Sequence, residues 1–461
     1  MGKGRRLDVY DLEHSEPVMD ACMDWPGATR GMRSVMEDTP TRDSTVGSAL
    51  PSAGAGGIAV RHSAPGIDLG DQRLLDSLSN SFGLLLAQPT TRCNIDCAYC
   101  YLPGRDRRDR MSVEVAEAIA DGIAAQGAQP VTVAWHAGEP LATGRDHFKR
   151  LLAPFEALRA SGVIAHAVQT NATLINDRWC DLFAEYGIAV GVSIDGPGNM
   201  NSARRDWEGR DTFDRAMRGI TLLKTHEIPV TVLTVVSAAT VDRASEVLGF
   251  LSELGTAAVG FIFEERDNAN LDRGRPTITF EQAVTFWREV IAYLRANPGL
   301  RVREIADLAR FLKHQEPALT LEAMPTVAFN GDVVVTGPEL AGAPAPEHGN
   351  FVVGNVLATP LPTIMEQIRQ VDYVRRFAAG LANCRRRCSF WEYCGGGCTA
   401  SKRWFEHGAF EATETTFCRN RIQAPVTALL SVIEEEGPHS DTRAGTRNEL
   451  RRIAGDAQRP T

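Results

Sequence analysis

GLLLAQPTTRCNIDCAYCYLPGR, residues 83–105, joins a short apolar run to a loop in which Cys93, Cys97 and Cys100 fall within eight residues. An aromatic residue, Tyr99, stands just before the last cysteine. The run reads as a strand, and it opens a series. VTVAW (131–135), VIAHAVQ (163–169), IAVGVSI (188–194), PVTVLTVV (229–236) and AAVGFIF (257–263) come after it, separated by helical patterns such as SVEVAEAIADGIAAQG and NDRWCDLFAEYG. Six strand–helix units in succession imply a parallel sheet with right-handed crossovers. Six are too few to close an eight-stranded barrel, so the expected fold is α/β, a partial TIM-like (β/α)6 barrel over residues 81–265.

The polar motifs fall at the strand ends. The cysteine loop follows the first strand, HAGEP (136–140) the second and TNATL (170–174) the third. Ser193 and DGP (195–197) end the fourth, Ser237 the fifth, and Glu264 and Glu265 the sixth. Carboxyl ends of parallel strands are where such barrels carry their chemistry.

Past residue 265 the alternation stops. A helical bridge is expected over 266–323, then a hairpin in TVAFNGDVVVT, whose Asn330-Gly331 pair is a strong turn signal. Residues 324–425, with five more cysteines, read as a small loop-rich domain that needs metal because little of it forms an apolar core. Residues 426–461 read as a helix and tail. Residues 1–80, rich in Ser, Gly, Ala and Pro, read as a disordered tail.

Composition narrows the function. A chain of 461 residues, 43% hydrophobic and 23% charged, suits one large domain with a smaller one. A net charge of −9 argues against a nucleic-acid partner and leaves small molecules or peptides. With no secretory signal and no membrane-length apolar run, the expected location is cytoplasmic, without a membrane partner. Disulfides are rare there, so ten cysteines read first as metal ligands or catalytic thiols. Eight lie in two clusters, with Cys22 and Cys180 as strays.

A structural zinc is closed by four protein ligands, and the first loop offers three. Thiolates also suit iron–sulfur clusters. Three of them on a [4Fe–4S] cluster leave one iron open, as a catalytic site requires.

That loop, directly after the first strand of a β/α series, resembles the signature of radical S-adenosylmethionine (SAM) enzymes. The resemblance implies that Cys93, Cys97 and Cys100 hold a [4Fe–4S] cluster and that SAM occupies its open iron. HAGEP is similar to the family's GGEP motif, with Ala137 in place of one glycine. It implies that Gly138 and Glu139 receive the SAM amino group, that Tyr99 lies near the adenine, and that Asn171, Ser193 and Arg204 hold the ribose and carboxylate. Taken singly, Glu139 reads equally as a helix cap, Ser193 as a strand-end hydroxyl and Arg204 as a surface charge.

The second cluster, CRRRCSFWEYCGGGC (384–398) with Cys418, resembles the SPASM extension of radical SAM peptide maturases, its first gap one residue longer. The resemblance implies one auxiliary [4Fe–4S] cluster on Cys384, Cys388, Cys394 and Cys418. Cys398 belongs by that pattern to a further cluster, but Thr336 stands where its upstream cysteine is expected. Cys398 is therefore left as a free thiol or a local supplement to the auxiliary cluster, and a zinc ion on the four-cysteine set is the competing reading.

With VQTNATLI, GVSIDGP and GPELAG, residues 80–425 resemble the cyclophane-forming radical SAM/SPASM peptide maturases of the GrrM type, which serve glycine-rich-repeat peptides. The implied substrate is a ribosomal precursor peptide, and the implied one-electron donor is a flavodoxin or ferredoxin. A side-chain carbon radical would add to an aromatic ring, with the auxiliary cluster taking the surplus electron. Glu264 and Glu265 are candidate catalytic bases or peptide contacts, a solvated acidic pair being the other reading. Two alternatives stand beside this: a formylglycine-forming oxidase like the anaerobic sulfatase maturases, and a zinc-stabilised peptide-binding protein without catalysis.

Overall fold

The computed structural model describes residues 69–79, 82–271, 274–318, 321–397 and 399–435. Cys22, Cys398, most of the expected N-terminal tail and the distal C-terminal tail lie outside the described residues.

The six strand–helix units are present. They run β1 (Leu84–Ala87), α2 (Val113–Ala125), β2 (Val131–Trp135), α3 (Arg145–Leu152), α4 (Glu156–Ala160) and β3 (Ile164–Thr170). Then come α5 (Asp177–Tyr186), β4 (Ala189–Ser193), α6 (Phe213–Thr225), β5 (Val230–Val236), α7 (Ala244–Glu253) and β6 (Ala258–Phe263). Each strand pairs in parallel with the next, and β6 remains an outer edge, so the sheet is a partial TIM-like barrel. Side chains on the helix-facing side bury the apolar mass. Phe261 and Phe263 of β6, for example, meet Phe286 and Trp287 of α8 (Phe280–Ala296) with ring centroids 5.0–5.9 Å apart.

Beyond α8, helix α9 (Arg303–His314) brings a carboxylate to the open edge. The Phe261 N–H, which has no further strand to bond, donates to Glu304 at 3.3 and 3.4 Å. Glu304 is fully buried and is paired with Arg303 at 2.6 Å and Arg421 at 3.3 Å. The carboxylate thus occupies the place of a missing neighbour strand.

The expected hairpin forms as β7 (Thr326–Val327) and β8 (Asp332–Val334), joined by β9 (Gly354–Asn355). It continues the barrel sheet: β7 pairs in parallel with β1, Leu86 opposite Thr326, giving a nine-stranded sheet.

The remaining helices are α10 (Leu361–Gln367), α11 (Asp372–Arg387), α12 (Trp391–Cys394), α13 (Ala400–His407) and α14 (Ala424–Glu435), with a π-helical turn over Cys418–Gln423. Two expectations are corrected here. The segment expected as a disordered tail, 1–80, contains a packed helix: α1 (Leu69–Ser79) buries Leu74, Leu75 and Leu78 and packs on α11. Nor does the C-terminal region lack an apolar core. Phe351, Tyr373, Trp404 and Phe410 form one aromatic cluster with His348, Trp404 and Phe410 stacking at 5.0 Å and 12°. These rings come from separate loops and helices, so no periodic pattern announces them. Among the described residues no helix is long and apolar enough to cross a membrane.

Candidate active site

The cysteine loop leaves the carboxyl end of β1 and is clamped from within. Arg105, buried beneath it, pairs with Asp96 at 2.7 Å and donates to the carbonyls of Leu102 (3.1 Å) and Cys97 (3.4 Å). The Cys93 carbonyl accepts from Trp207 Nε1 at 2.9 Å, while Asp96 and Ala98 bond the backbone of Arg205 and Ala203. Burial pushes the Cys93 thiol far up, with Glu139 and Cys97 adding to it, and raises Cys97 to about 12 despite the nearby Arg204. Left alone these thiols keep their protons; a bound metal removes them outright.

Among the described residues no three or more His, Cys, Asp or Glu side chains converge tightly enough to hold a single metal ion. An iron–sulfur cube does not ask for that, since each thiolate binds a different iron. Three mutually interacting thiols on one clamped loop fit such a group.

Beside the loop lies Glu139. Gly138 adopts φ +62°, and a Cβ there would lie 2.5 Å from the Thr90 carbonyl and 2.7 Å from that of Arg92, so only glycine allows this approach. Glu139 is 1% exposed and accepts from Leu141 N (3.1 Å), Thr170 Oγ1 (2.7 Å) and Asn171 N (2.9 Å). It therefore caps the short 3₁₀ turn Pro140–Thr143 and ties the end of β2 to that of β3. Burial outweighs these bonds and lifts its carboxyl to about 7. Asn171 in turn places Nδ2 3.9 Å from Cys93 Sγ and 3.0 Å from Asn94 Oδ1. Ser193 Oγ accepts from Gln169 Nε2 at 2.8 Å.

Tyr99 and Arg204 meet on a residue the motifs left without a role. Asp195, buried at the end of β4, accepts from Tyr99 Oη at 2.5 Å, Arg204 Nη2 at 2.9 Å and Val235 N at 3.1 Å. Arg204 also lies over the Tyr99 ring, 5.5 Å from its centroid. At 7% exposure, with Nε buried and without a hydrogen-bond partner, Arg204 is no surface charge.

Glu264 and Glu265 do not form a pair. Glu264 is closed off by a bidentate contact to Arg275, its Nη2 at 2.9 Å from Oε2. Glu265 joins a network around Lys402 Nζ, at 2.7 Å, with Asp267 at 2.5 Å and Glu339 at 3.3 Å. Ser401 Oγ donates to Glu339 at 2.8 Å. Burial drives the Glu265 carboxyl up to about 8 against the pull of Lys402. Nearby, Tyr101 Oη and His136 Nε2 lie 3.2 Å apart; burial pushes the Tyr101 phenol well up, and both Glu339 and Cys100 add to the effect. Of the residues missed from sequence, Asp195 and Glu339 stood in the quoted DGP and GPEL stretches; Lys402 and Tyr101 carried no spacing signal.

The second cysteine set is assembled from several elements. Cys384 lies in the last turns of α11, Cys388 caps it, Cys394 ends α12 and Cys418 opens the π-helical turn. Burial raises the Cys388 thiol, with Cys384 adding to it. Arg403 Nη2 donates to Cys384 Sγ at 3.4 Å and Thr415 Oγ1 to Cys418 Sγ at 3.3 Å. Cys384 Sγ also donates to the Thr413 carbonyl at 3.2 Å, a bond that is given up when metal binding removes the thiol proton. The donors from Arg403 and Thr415 fit a metal-bound thiolate. Cys180 belongs to neither set; it is a buried core thiol of α5.

The family model of the Radical SAM superfamily matches residues 87–251, from the last residue of β1 into α7. The uncharacterized protein sll1766 of Synechocystis sp. is 30% identical over 370 residues, 76% of this chain and 92% of that protein. The serine-type anaerobic sulfatase-maturating enzyme of Klebsiella aerogenes is 36% identical over 188 residues, 39% of this chain and 46% of that enzyme. In fold, the chain resembles native anSMEcpe with bound AdoMet (19% identity, TM-score 0.61, 80% of this chain and 99% of that one). It also resembles SuiB of Streptococcus suis bound to precursor peptide SuiA (14% identity, TM-score 0.52, 74% and 76%). With its cysteine loop at the end of β1 inside the matched segment, this chain belongs to the radical SAM superfamily, whose cofactors are a [4Fe–4S] cluster and S-adenosylmethionine.

Proposed function

We propose that this chain is a cytoplasmic maturase of a ribosomally made precursor peptide, forming an oxidative carbon–carbon crosslink between a side-chain carbon and an aromatic residue, in the manner of the GrrM-type cyclophane maturases. The observation that carries this reading is the presence of two sulfur sites. One is a three-thiol loop that leaves a ligand position open; the other is a C-terminal set of Cys384, Cys388, Cys394 and Cys418 for one auxiliary [4Fe–4S] cluster. The first suits radical generation and the second suits taking up an electron. SuiB, bound in its structure to a precursor peptide, supports the choice of substrate class.

In this reading Cys93, Cys97 and Cys100 hold the cluster that binds SAM. Bound there, cluster and SAM supply a 5′-deoxyadenosyl radical. The other side chains bind and orient. Gly138 and Glu139 would receive the SAM amino group, a charge-assisted contact. Asn171, Ser193 and Arg204 would hold the ribose and carboxylate, and Tyr99, fixed by Asp195, would border the adenine. Glu265, buried and lifted to about 8, suits exchange of the proton that the aromatic ring loses. Glu264, buried and engaged by Arg275, would contact the peptide only if that pair opened. A flavodoxin or ferredoxin supplies the electron.

A second reading, oxidation of Ser or Cys to formylglycine, is favoured by the likeness to the sulfatase-maturating enzyme of Klebsiella aerogenes. Thr336, standing where the upstream cysteine of a second auxiliary cluster is expected, counts against it. Anaerobic co-expression with the small peptides encoded beside the gene separates the two. Crosslinking gives a loss of two hydrogens per linked pair, blocks fragmentation between an aromatic residue and its partner, and is absent with Cys97→Ala. A product that reacts with hydrazide probes marks an aldehyde and overturns the crosslinking reading.

A further inference from the structure

We infer that Arg403 and Thr415 raise the reduction potential of the C-terminal cluster above that of the SAM-binding cluster by donating hydrogen bonds to the sulfurs of Cys384 and Cys418. The inference rests on the reading of Cys384, Cys388, Cys394 and Cys418 as ligands of one auxiliary cluster.

Arg403 projects from α13 and is 1% exposed. Its guanidinium lies over the Phe377 ring, 5.0 Å from the centroid, with Nη1 3.3 Å from the Phe410 carbonyl and Nη2 3.4 Å from Cys384 Sγ. Helix α11 leaves it room: a Cβ on Gly380 would fall 2.2 Å from Arg403 Nη1. Thr415 is equally buried. Its oxygen accepts from the Cys418 amide at 3.2 Å, which turns the hydroxyl proton toward Cys418 Sγ at 3.3 Å.

The first loop has a different surround. The side-chain donor to Cys93 Sγ is Asn171, neutral and 3.9 Å away, and the buried Glu139 carboxyl lies within electrostatic reach of the same sulfur. The buried cations Arg204 and Arg105 also act on Cys97, but Arg204 is paired with Asp195, and Arg105 with Asp96 and the Cys97 carbonyl. Trp207 donates to the Cys93 carbonyl rather than to its sulfur.

Reduction adds one negative charge to an iron–sulfur cluster. Donors on the sulfurs, a buried cation above all, stabilise that extra charge, whereas a carboxylate opposes it. The chemistry needs this direction. The site at the first loop must give an electron to a sulfonium. The C-terminal site must accept one when the carbon–aromatic adduct radical loses a ring proton to a base and an electron to an oxidised [4Fe–4S] cluster, restoring the ring.

The test is an EPR-monitored redox titration of anaerobically reconstituted full-length protein, alone and with Cys93, Cys97 and Cys100 all changed to alanine so that only the C-terminal site remains. Wild type is expected to show two one-electron transitions, the higher surviving in the triple variant. Adding Thr415→Val or Arg403→Met to the triple variant is expected to lower that midpoint, the arginine change more. Thr415→Val decides the matter by itself if Arg403→Met does not fold. A surviving transition that is the lower of the two, or an unmoved midpoint at full iron content, overturns the inference alone. A triple variant that takes up zinc or no iron overturns the auxiliary-cluster reading and the inference with it.

Discussion

Cys93, Cys97 and Cys100 lie on one loop clamped by its own Arg105–Asp96 pair, whereas Cys384, Cys388, Cys394 and Cys418 arrive from α11, α12 and a π-helical turn. The three thiols of the first site come from the chain between β1 and α2, with the segment after β4, through Ala203, Arg205 and Trp207, bracing their backbone. The second exists only after distant helices have packed, with Arg403 wedged between α11 and the Phe410 loop. A local site is preset for repeated chemistry at an open ligand position. A site gathered from afar is set by its surroundings, and there those surroundings donate hydrogen bonds to sulfur.

The largest test of this division is a pair of substitutions. Cys97→Ala is expected to abolish release of 5′-deoxyadenosine, while Cys418→Ala keeps that release and stops formation of the crosslinked peptide, both read by mass spectrometry. Loss of SAM cleavage in Cys418→Ala breaks the separation.

Next comes Lys402, which joins the two regions by binding Glu265 and Asp267 at the end of β6 and Glu339 after β8. Lys402→Met strands three carboxylates together and is expected to cost about 3–5 kcal/mol near neutral pH in denaturant unfolding. The stranded acids then hold protons more tightly folded than unfolded, so the variant loses stability as pH rises and regains it in acid. A flat response between pH 6 and 8 shows that the junction does not depend on these charges.

A smaller effect separates the barrel from the C-terminal region. His166 on β3, buried against Trp135 and Phe155, has its ring pushed down to about 4 by burial. Below its ordinary range near 6.5 the unfolded chain takes a proton that the folded barrel refuses. Stability is therefore complete above that range and falls by about 3 kcal/mol as pH drops toward 4. His166→Gln should flatten this slope in urea melts; an unchanged slope assigns acid sensitivity elsewhere.

What the chain discloses before folding follows the same division. Val131–Trp135 forms a strand at the limits its apolar run suggests, and the other five strands start and stop within a residue or so of theirs, because alternating runs and helical stretches record local burial. The three-cysteine loop is legible for the same reason. The Lys402 network is not, since Glu265, Asp267, Glu339 and Lys402 meet only through packing. Arg204 reads on its own as surface charge until Asp195 is seen beneath it, and Glu264 and Glu265 look like neighbours until Arg275 and Lys402 divide them. Helix α1 was hidden by the Ser- and Gly-rich stretch before it, which dilutes the signal of Leu74, Leu75 and Leu78.

The pairing of β7 with β1 has a practical consequence for anyone recombining this chain with its relatives. There is no joint at the end of the six-stranded series: cutting after α9 strips hydrogen-bond partners from the strand that carries the cysteine loop. A chimera that exchanges the C-terminal half must carry β7 through β9 along with the barrel it completes, and a truncated barrel would present β1 as a raw, sticky margin to its copies.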